Sequence, residues 1–347
     1  MTTKKSDRRQ WLIYGATGYT GTHIAELAIA KGFCPVLAGR NEKSVRQLAE
    51  RLGLKWRSAD LGNAAALKSM AAEFSVVLNV AGPFIHTWQP MVEACIAAGT
   101  HYLDLTGEIP IFEGLAALDQ RAREAGIMLM PGVGFDMVPG DCLALALKRL
   151  MPDATSLDMA VSFEGTLTHG SILSALLMQT STLVRRNHQL IPLDERLARE
   201  FDFGPGRCGG RVRSRALTFG DISVAWRTTG IPNITSYQRP VKEWAQMLAA
   251  IKTPADVAAL PSGPTDEELA TIPTIFVGEV RNSAGDVRAM RLVTPQSYAI
   301  TFELATAIAQ RVHGGDFRRG YQTPARVYGE DFILEFDGCR REAWPPG

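Results

Sequence analysis

A glycine-rich turn near the start of the chain constrains its fold more than any other feature. The turn has the sequence GATGYTG and lies between a short apolar run at 11–14 and a segment with helical spacing. A GxxGxxG pattern between a strand and a helix is typical of a Rossmann domain that binds a dinucleotide; an ordinary glycine loop is the alternative. The residues predicted to hold the pyrophosphate are Gly15, Ala16, Thr17, Gly18, Tyr19, Thr20 and Gly21.

Short apolar runs alternate with helical segments over the first part of the chain. Strands are predicted at 11–14, 35–38, 55–59, 75–81, 101–105 and 127–130, with helices between them, the last at 111–125. This spacing indicates βαβ units and a doubly wound parallel sheet. The fold class is therefore α/β, beginning with a Rossmann domain.

The pattern changes after Pro131. Alternating strands are predicted at 157–163, 222–228, 274–281 and 287–293, a helix at 298–313 and a last strand at 331–336. Such alternation favours a second α/β domain built on a mixed sheet. We expect an NADP-binding domain at 1–135, a substrate and dimerisation domain at 136–315, and a closing segment at 316–347 that packs back on the first domain.

The residue that ends the second strand bears on the choice of cofactor. NAD-preferring sites usually carry Asp or Glu there, whereas this chain has Arg40. A guanidinium group pairs bidentately with a phosphate, so Arg40 favours NADP(H), with a solvated surface arginine as the alternative.

Further cofactor contacts are expected where strands three and four end, because ligands bind at the carboxyl ends of the strands. Asp60 is placed to accept from the adenine amino group. Beside the ribose and nicotinamide we expect Asn79, Ala81, Gly82, Pro83 and Phe84, although a plain Gly-Pro turn explains the last four equally well.

These segments together resemble the saccharopine dehydrogenase-like oxidoreductases, including their trans-acting enoyl reductase branch. The matching pieces are 15–21, 38–40, 79–84, 93–95, 99–108, 134–141, 320–325 and 328–329. In the segment GFDMVPGD, Met137 stands where the family usually has serine. The resemblance implies a substrate cleft shaped by the second domain, a homodimer, and a small-molecule substrate or one linked to an acyl carrier or coenzyme A. It is weakest between about 165 and 295, the region expected to select the substrate.

Hydride transfer also requires a proton donor. None of the seven tyrosines is followed by lysine four residues later, which disfavours the Tyr-x-x-x-Lys reductases. The catalytic candidates are Asp136, Glu108 and Tyr19, with Asp104 a weaker one. A buried Asp136 would have a raised pKa and act as an acid. The alternative is that Asp136 caps the helix near Pro139, and that Asp104 and Glu108 only stabilise turns.

An arginine cluster stands out in the second domain. Arg211, Arg213 and Arg215 alternate, so on a strand they share one face, and Arg207 precedes them. This face would receive an acidic substrate, a phosphate of a carrier group or a carrier protein. A solvated, charged edge strand is the alternative.

Composition excludes several classes of protein. A net charge of +1 gives no reason to expect nucleic acid as a partner. Five dispersed cysteines without CxxC and six scattered histidines disfavour a metal site and suit a reducing compartment. No apolar run approaches the length of a membrane span. Lys4, Lys5, Arg8 and Arg9 read as a solvated tail rather than a targeting signal, so we expect a cytoplasmic protein.

Three functional hypotheses follow from the sequence. The first is an NADP(H)-dependent oxidoreductase that reduces a C=C or C=N bond of a small or carrier-bound substrate. The second is a non-catalytic protein that binds or senses NADP(H), motivated by the missing proton donor and by Met137. The third and weakest is an interaction protein whose Rossmann domain no longer binds nucleotide.

Arg40→Ala tests the cofactor assignment. If the guanidinium pairs with the 2′-phosphate, its loss should weaken NADPH binding by about 10- to 100-fold, the range expected for a hydrogen-bonded charge. NADH has no 2′-phosphate, so its affinity should not change. Titration of both nucleotides by nicotinamide fluorescence measures this, and equal loss for both would contradict the role of Arg40.

Overall fold

The computed structural model describes residues 10–177, 182–193 and 197–345. The four basic residues predicted to form a solvated tail lie outside these ranges. The chain divides into two compact units that interleave along the sequence. The first unit comprises 1–105, 114–131 and 305–322, and the second comprises 106–113, 132–304 and 323–347.

Strands are numbered in chain order. They are β1 (Leu12–Tyr14), β2 (Val36–Gly39), β3 (Trp56–Ser58), β4 (Val76–Asn79), β5 (His101–Asp104), β6 (Met128–Met130), β7 (Ser156–Ser162), β8 (Thr182–Arg186), β9 (Gln189–Leu193), β10 (Ala198–Asp202), β11 (Arg211–Ala216), β12 (Asn233–Gln238), β13 (Thr274–Arg281), β14 (Val287–Thr294), β15 (Gly320–Tyr321) and β16 (Arg340–Trp344).

Helices are numbered in the same way. They are α1 (Tyr19–Ala30), α2 (Glu42–Leu52), α3 (Ala64–Ala71), α4 (Phe84–Ala98), α5 (Ile109–Ala117), α6 (Asp119–Glu124), α7 (Val138–Leu150), α8 (His169–Leu177), α9 (Asp221–Thr229), α10 (Lys242–Ala250), α11 (Pro254–Ala258), α12 (Asp266–Thr271), α13 (Ser297–His313) and α14 (Pro324–Tyr328), with a 3₁₀ turn at Phe332–Glu335.

A seven-stranded parallel sheet organises the first unit. Its strand order is β15-β6-β5-β4-β1-β2-β3, and every neighbouring pair is parallel. The order reverses direction at β1 and β4, which is the switch point of a doubly wound fold. Strands β1, β2 and β4 are buried along their whole length, as expected for a sheet covered on both faces. The predicted Rossmann architecture is confirmed.

One predicted element of the first unit differs. The single helix expected at 111–125 is two helices, α5 and α6, and they meet at Leu118. The backbone of Leu118 leaves the helical region, with φ −90° and ψ 4°. Apolar residues continue at helical spacing on both sides of Leu118, so the sequence pattern did not indicate that the helix is interrupted there.

The second unit is built on a nine-stranded mixed sheet, as predicted. The main strand order is β10-β11-β12-β7-β13-β14-β16, with β8 and β9 attached beside β12. β12 and β7 are parallel, and the other pairs are antiparallel.

The two ends of this sheet curl toward each other. The Trp344 indole on β16 donates to the Asp202 carbonyl on β10 at 2.7 Å, and Arg291 on β14 donates to the Phe203 carbonyl at 2.8 Å. The inner face encloses a core drawn from strands across the sheet: Ala160, Phe201, Phe203, Ala216, Tyr237, Ile275, Val277 and Val293. Burial of these side chains is the main force that holds the curled sheet together.

Two predicted strands of the second unit are wrong. Residues 222–228 belong to helix α9, which begins after Gly220 and ends at Gly230 in a left-handed conformation. Residues 331–336 contain the 3₁₀ turn, and the last strand is β16, later in the chain. In both segments an alternating apolar pattern also satisfies a short helical element buried on more than one face.

Candidate cofactor and active site

The turn after β1 requires glycine at two positions. Gly15 has φ +90°, and a Cβ there would lie 2.6 Å from the Ala81 nitrogen. A Cβ on Gly21 would lie 2.6 Å from the Gly15 carbonyl oxygen and 2.8 Å from the Ala16 Cα. The loop after β4 therefore packs directly on the turn, and helix α1 packs directly on the turn from the other side.

Gly18 has a different environment. A Cβ there would meet only the Gly15 carbonyl oxygen, at an ordinary 3.5 Å, and the backbone adopts a common conformation, so the fold does not require glycine here. Gly18 is also exposed and precedes the first turn of α1, which has neither a side-chain cap nor an acidic residue. Such a helix end favours an anion, so this position fits the pyrophosphate of a dinucleotide.

The other predicted residues of the turn lie around Gly18. Ala16 is buried, whereas Thr17 is exposed and Thr20 half-buried. The half-buried ring of Tyr19 stacks on His23 with centroids 4.2 Å apart, and its carbonyl oxygen contacts His23 Nδ1 at 2.8 Å. In the structure Tyr19 is thus part of the first turn of α1.

Arg40 and Asp60 follow the paired ends of β2 and β3, where Gly39 is opposite Ser58. Both are exposed, and the charges of both affect the pKa of Tyr14. The Tyr14 hydroxyl donates to the Ala59 carbonyl at 2.9 Å. Burial and the charge of Asp60 raise the pKa of Tyr14 to about 12, while Arg40 acts in the opposite direction. Asp60 Oδ1 accepts from the Gly62 amide at 2.8 Å, so Asp60 also stabilises its own turn.

Asn79 shapes the loop after β4 from inside the protein. It is fully buried; its Oδ1 accepts from the Ala81 amide at 3.2 Å, and its Nδ2 donates to Thr87 and Tyr102, each at 3.3 Å. Gly82 is exposed, and Ala81, Pro83 and Phe84 are half-buried, with a cis peptide bond between Gly82 and Pro83. Direct cofactor contact by Asn79 stays a prediction; its observed role is to hold this loop.

Asp104 has a structural role at the end of β5. It is buried at the end of β5, where its Oδ2 accepts from the Tyr102 hydroxyl at 2.8 Å. This bond continues the network that begins at Asn79. The structure thus gives Asp104 a part in holding the ends of β4 and β5.

Glu108 is held by hydrogen bonds in the second unit. Its Oε2 accepts from the Thr106 hydroxyl and, at 3.0 Å, from the Gly107 amide. Its Oε1 accepts from Ser174 on helix α8 at 3.2 Å. These donors keep the carboxylate of Glu108 in one orientation while it is buried.

Asp136 lies beside Glu108 in the second unit. The Asp136 carboxyl is also adjacent to Gly107, whose added Cβ would be 3.4 Å from Oδ2. Burial and the negative charge of Glu108 raise the pKa of Asp136 to about 7. The alternative that Asp136 caps the next helix is wrong, because α7 starts at Val138 with Met137 as its N-cap and no side-chain cap bond.

Sequence reasoning missed the hydroxyl groups in this cluster. Tyr298, in the first turn of α13, contacts Ser171 and Thr168 at the start of α8. Burial raises the pKa of Tyr298, and the charge of Asp136 adds a smaller contribution in the same direction. These contacts link positions more than a hundred residues apart. The one available signal was the position of Tyr298 at the predicted start of a helix.

The predicted arginine face is present on β11. Arg211, Arg213 and Arg215 are exposed, and Arg211 lies 3.8 Å from Asp202 on the neighbouring strand β10. Arg207 pairs with Glu164 at 2.7 Å.

The described part of the chain also bears on two other kinds of site. No group of three or more His, Cys, Asp or Glu side chains there is arranged to hold a metal ion. Within the same residues, no helix has the length and apolar character needed to cross a membrane.

Together, the doubly wound sheet, the open glycine turn and the arginine after β2 define a dinucleotide-binding Rossmann unit. Residues 11–130 match the family described as saccharopine dehydrogenase NADP binding domain. This match covers the first part of the chain, and it confirms the predicted resemblance and the predicted cofactor, NADP(H).

Curated relatives share part of the chain. It is 36% identical over 180 residues to a Mycobacterium tuberculosis protein assigned by name to the trans-acting enoyl reductases, covering 48% of this chain and 43% of that protein. It is 34% identical over 160 residues to the trans-acting enoyl reductase of Mycobacterium leprae, covering 43% and 38%. The matched region thus spans less than half the length of either relative.

Solved structures share the fold of nearly the whole chain. Apo saccharopine dehydrogenase (L-Glu forming) from Saccharomyces cerevisiae gives a TM-score of 0.64 at 13% identity, covering 97% of this chain and all of that one. Homospermidine synthase from Legionella pneumophila in complex with NAD gives 0.67 at 9% identity, covering 97% and 92%. Both matches establish the two-unit fold and nothing about chemistry.

Gly18→Ala tests the phosphate site separately from the fold. Because Gly18 has space for a Cβ, we expect an unchanged melting temperature and an NADPH affinity at least tenfold lower, since a methyl group would obstruct the approach of the pyrophosphate. Gly21→Ala is the matched control, and it should lower the melting temperature because its Cβ meets backbone atoms. Unchanged NADPH binding by Gly18→Ala would contradict the assignment.

Proposed function

We propose that this chain is an NADP(H)-dependent oxidoreductase that reduces a C=C or C=N bond of a small or carrier-bound substrate. The observation that carries this proposal is the Asp136 carboxyl, which lies beside Glu108 and has its pKa raised to about 7. A general acid is most effective when its pKa lies near the pH at which the enzyme works. The domain at 11–130 supplies the binding site for the reductant.

We assign the proposed roles within each unit separately. Bound NADPH supplies a hydride. In the first unit, Gly15, Gly18 and Gly21 form the turn that receives the pyrophosphate, and Arg40 is placed for the 2′-phosphate. In the second unit, a carboxyl oxygen of Asp136 holds the proton that the reduced bond must gain. Glu108 keeps its charge in place through Thr106, Gly107 and Ser174, and that charge favours the protonated form of Asp136.

The names of the curated relatives support the choice of bond and the kind of substrate. They are named trans-acting enoyl reductases, and an enoyl group has a C=C bond conjugated with a carbonyl group. A carrier-linked acyl substrate is accordingly the preferred member of the proposed class. The exposed arginine face of β11 offers cationic side chains to an acidic carrier or its phosphate.

The competing proposal of a non-catalytic NADP(H)-binding protein is less well supported. It was motivated by a missing proton donor, and Asp136 now provides a candidate. It was also motivated by Met137, which the structure explains by packing: Met137 is fully buried in a cluster with Phe112 and Val224. The replacement of serine by methionine is thus compatible with an intact acid at the preceding position. The homodimer and the cytoplasmic location stay predictions.

Asp136→Asn tests the proposed function. Asparagine retains the shape of the side chain without an acidic proton, so kcat should fall about 100- to 10,000-fold for NADPH-dependent reduction of an enoyl thioester, the range for loss of a general acid. The active form of Asp136 is protonated. In the wild type, kcat/KM should therefore be constant below pH 7 and fall about tenfold per pH unit above it, and this limb should disappear in the variant.

Asp141→Asn is the matched control for that variant. Asp141 is also buried in the second unit with its pKa raised to about 7, and its Oδ2 accepts from the Ala325 amide at 2.7 Å, a bond that asparagine retains. Its activity should stay close to that of the wild type. Full activity in Asp136→Asn, or a wild-type profile without a limb near pH 7, would contradict the role of Asp136.

A further inference from the structure

We propose that the hydroxyl group of Tyr298 donates the hydrogen bond that stabilises the oxyanion formed when an α,β-unsaturated carbonyl compound is reduced at this site. The inference rests on the proposed function and extends it, because it gives the second unit a binding group for the carbonyl oxygen of the substrate. Asp136 and Tyr298 then have separate roles, with the proton delivered by Asp136 and the oxyanion held by Tyr298.

The Tyr298 oxygen is fixed by hydrogen bonds to one short segment. The Thr168 amide donates to it at 3.0 Å, and Ser171 Oγ lies 2.7 Å away. Both residues lie at the start of α8, where the Ser171 amide in turn donates to Thr168 Oγ1 at 3.2 Å. Helix α8 therefore sets the position of the phenol ring of Tyr298 by holding its oxygen.

The Tyr298 hydroxyl can act as a hydrogen-bond donor within this cluster. When Ser171 donates to Tyr298, the Tyr298 O–H points to Thr168 Oγ1 at 3.4 Å, well beyond the usual length of an O–H···O bond. A substrate carbonyl oxygen at normal distance would offer that proton a stronger acceptor. The Thr168 amide and Ser171 would continue to hold the phenol oxygen, which polarises the O–H bond further.

The electrostatic surroundings keep this donor protonated. Burial raises the pKa of Tyr298, hydrogen bonds from Ser171 and Thr168 oppose that effect, and the charge of Asp136 adds to it. A tyrosine with a raised pKa remains a hydrogen-bond donor throughout the neutral range.

Hydrogen bonds place Tyr298 in the same cluster as the proposed acid. On helix α8, Ser171 contacts Tyr298, and Ser174, one turn later, donates to Glu108. The Phe135 amide, next to Asp136, donates to Thr301 Oγ1 on the helix of Tyr298 at 3.0 Å.

The chemistry balances with two protein groups. As hydride adds to the β carbon, the π electrons of the C=C bond move toward the carbonyl oxygen and give an enolate. Tyr298 hydrogen-bonds to that oxygen and keeps its own proton. The α carbon then takes the proton of Asp136, which is replaced from water. The net change is the reduction of one C=C bond by one hydride and one proton.

Tyr298→Phe is the first test, with Tyr237→Phe as its matched control. The loss of one oxyanion donor typically lowers kcat 100- to 1,000-fold, and we expect a decrease of this size with NADPH and an enoyl thioester, with little change in KM. Tyr237 is a buried tyrosine in the core of the same unit, so removal of its hydroxyl should leave kcat within about threefold of the wild type. A Tyr298→Phe enzyme with wild-type kcat would overturn the inference.

The second test does not depend on turnover. Acetoacetyl-CoA, a 3-ketoacyl thioester, ionises to an enolate that absorbs in the near ultraviolet, and with NADP⁺ as the nucleotide it cannot be reduced. The wild-type protein should raise the enolate fraction of the bound thioester at neutral pH, and Tyr298→Phe should lose this effect while it still binds NADP⁺.

These readouts separate the inference from the function on which it rests. Enolate stabilisation that depends on Tyr298 supports the inference even if no enoyl substrate is reduced, an outcome that would count against the proposed function alone. Absence of enolate stabilisation in the wild type, or equal stabilisation in Tyr298→Phe, overturns the inference even if reduction proceeds.

Discussion

The first unit depends on backbone packing around the turn after β1 that leaves no room for side chains. Gly15 lies against the backbone of Ala81, and Gly21 against that of the turn itself. These contacts bring the carboxyl ends of β1 and β4 together at the switch point of the sheet, where ligands of doubly wound folds bind. Asn79 stabilises the same arrangement, because its side-chain oxygen accepts a hydrogen bond from the Ala81 amide. The position predicted for the pyrophosphate is thus a consequence of close packing, and among Gly15, Gly18 and Gly21 it is Gly18 that has room for a Cβ.

A different constraint shapes the second unit: several carboxyl groups are buried or half-buried. Asp136, Asp141 and Asp221 each have the pKa raised to about 7, primarily by burial. The charge of Glu108 contributes to the raised pKa of Asp136. Because burial of an unpaired charge is costly, such groups retain protons that exposed carboxylates would release. Hydrogen bonds hold Asp141 through Ala325 and Asp221 through Ser236. The charges of Asp136 and Asp141 also raise the pKa of Asp221. Asp136 differs from the other two because the carboxylate beside it is Glu108 and because its charge raises the pKa of Tyr298.

The sequence was sufficient for the parts of the structure that local patterns encode. The turn at 15–21, the alternating strands and helices of the first unit and the exposed face of β11 could all be predicted, because each depends on spacing within a few residues. Helix α9 could not, because Ile222, Val224 and Trp226 alternate as in a strand, while burial within the second unit favours a helix. The site was predicted in part for the same reason. Asp136 and Glu108 lie in motifs, whereas the contact of Tyr298 with Ser171 spans 127 positions and leaves no local trace.

The most direct test follows the hydride that the proposed reaction transfers from NADPH to the substrate. NADPH carrying deuterium at C4 of the nicotinamide would be incubated with the protein and an enoyl thioester, and the product analysed by mass spectrometry. We predict one deuterium in the product, on the carbon that receives the hydride. A second deuterium should appear on the neighbouring carbon only when the reaction is run in D₂O. Reduced product without deuterium from NADPH would contradict the account, as would oxidation of NADPH without reduced product.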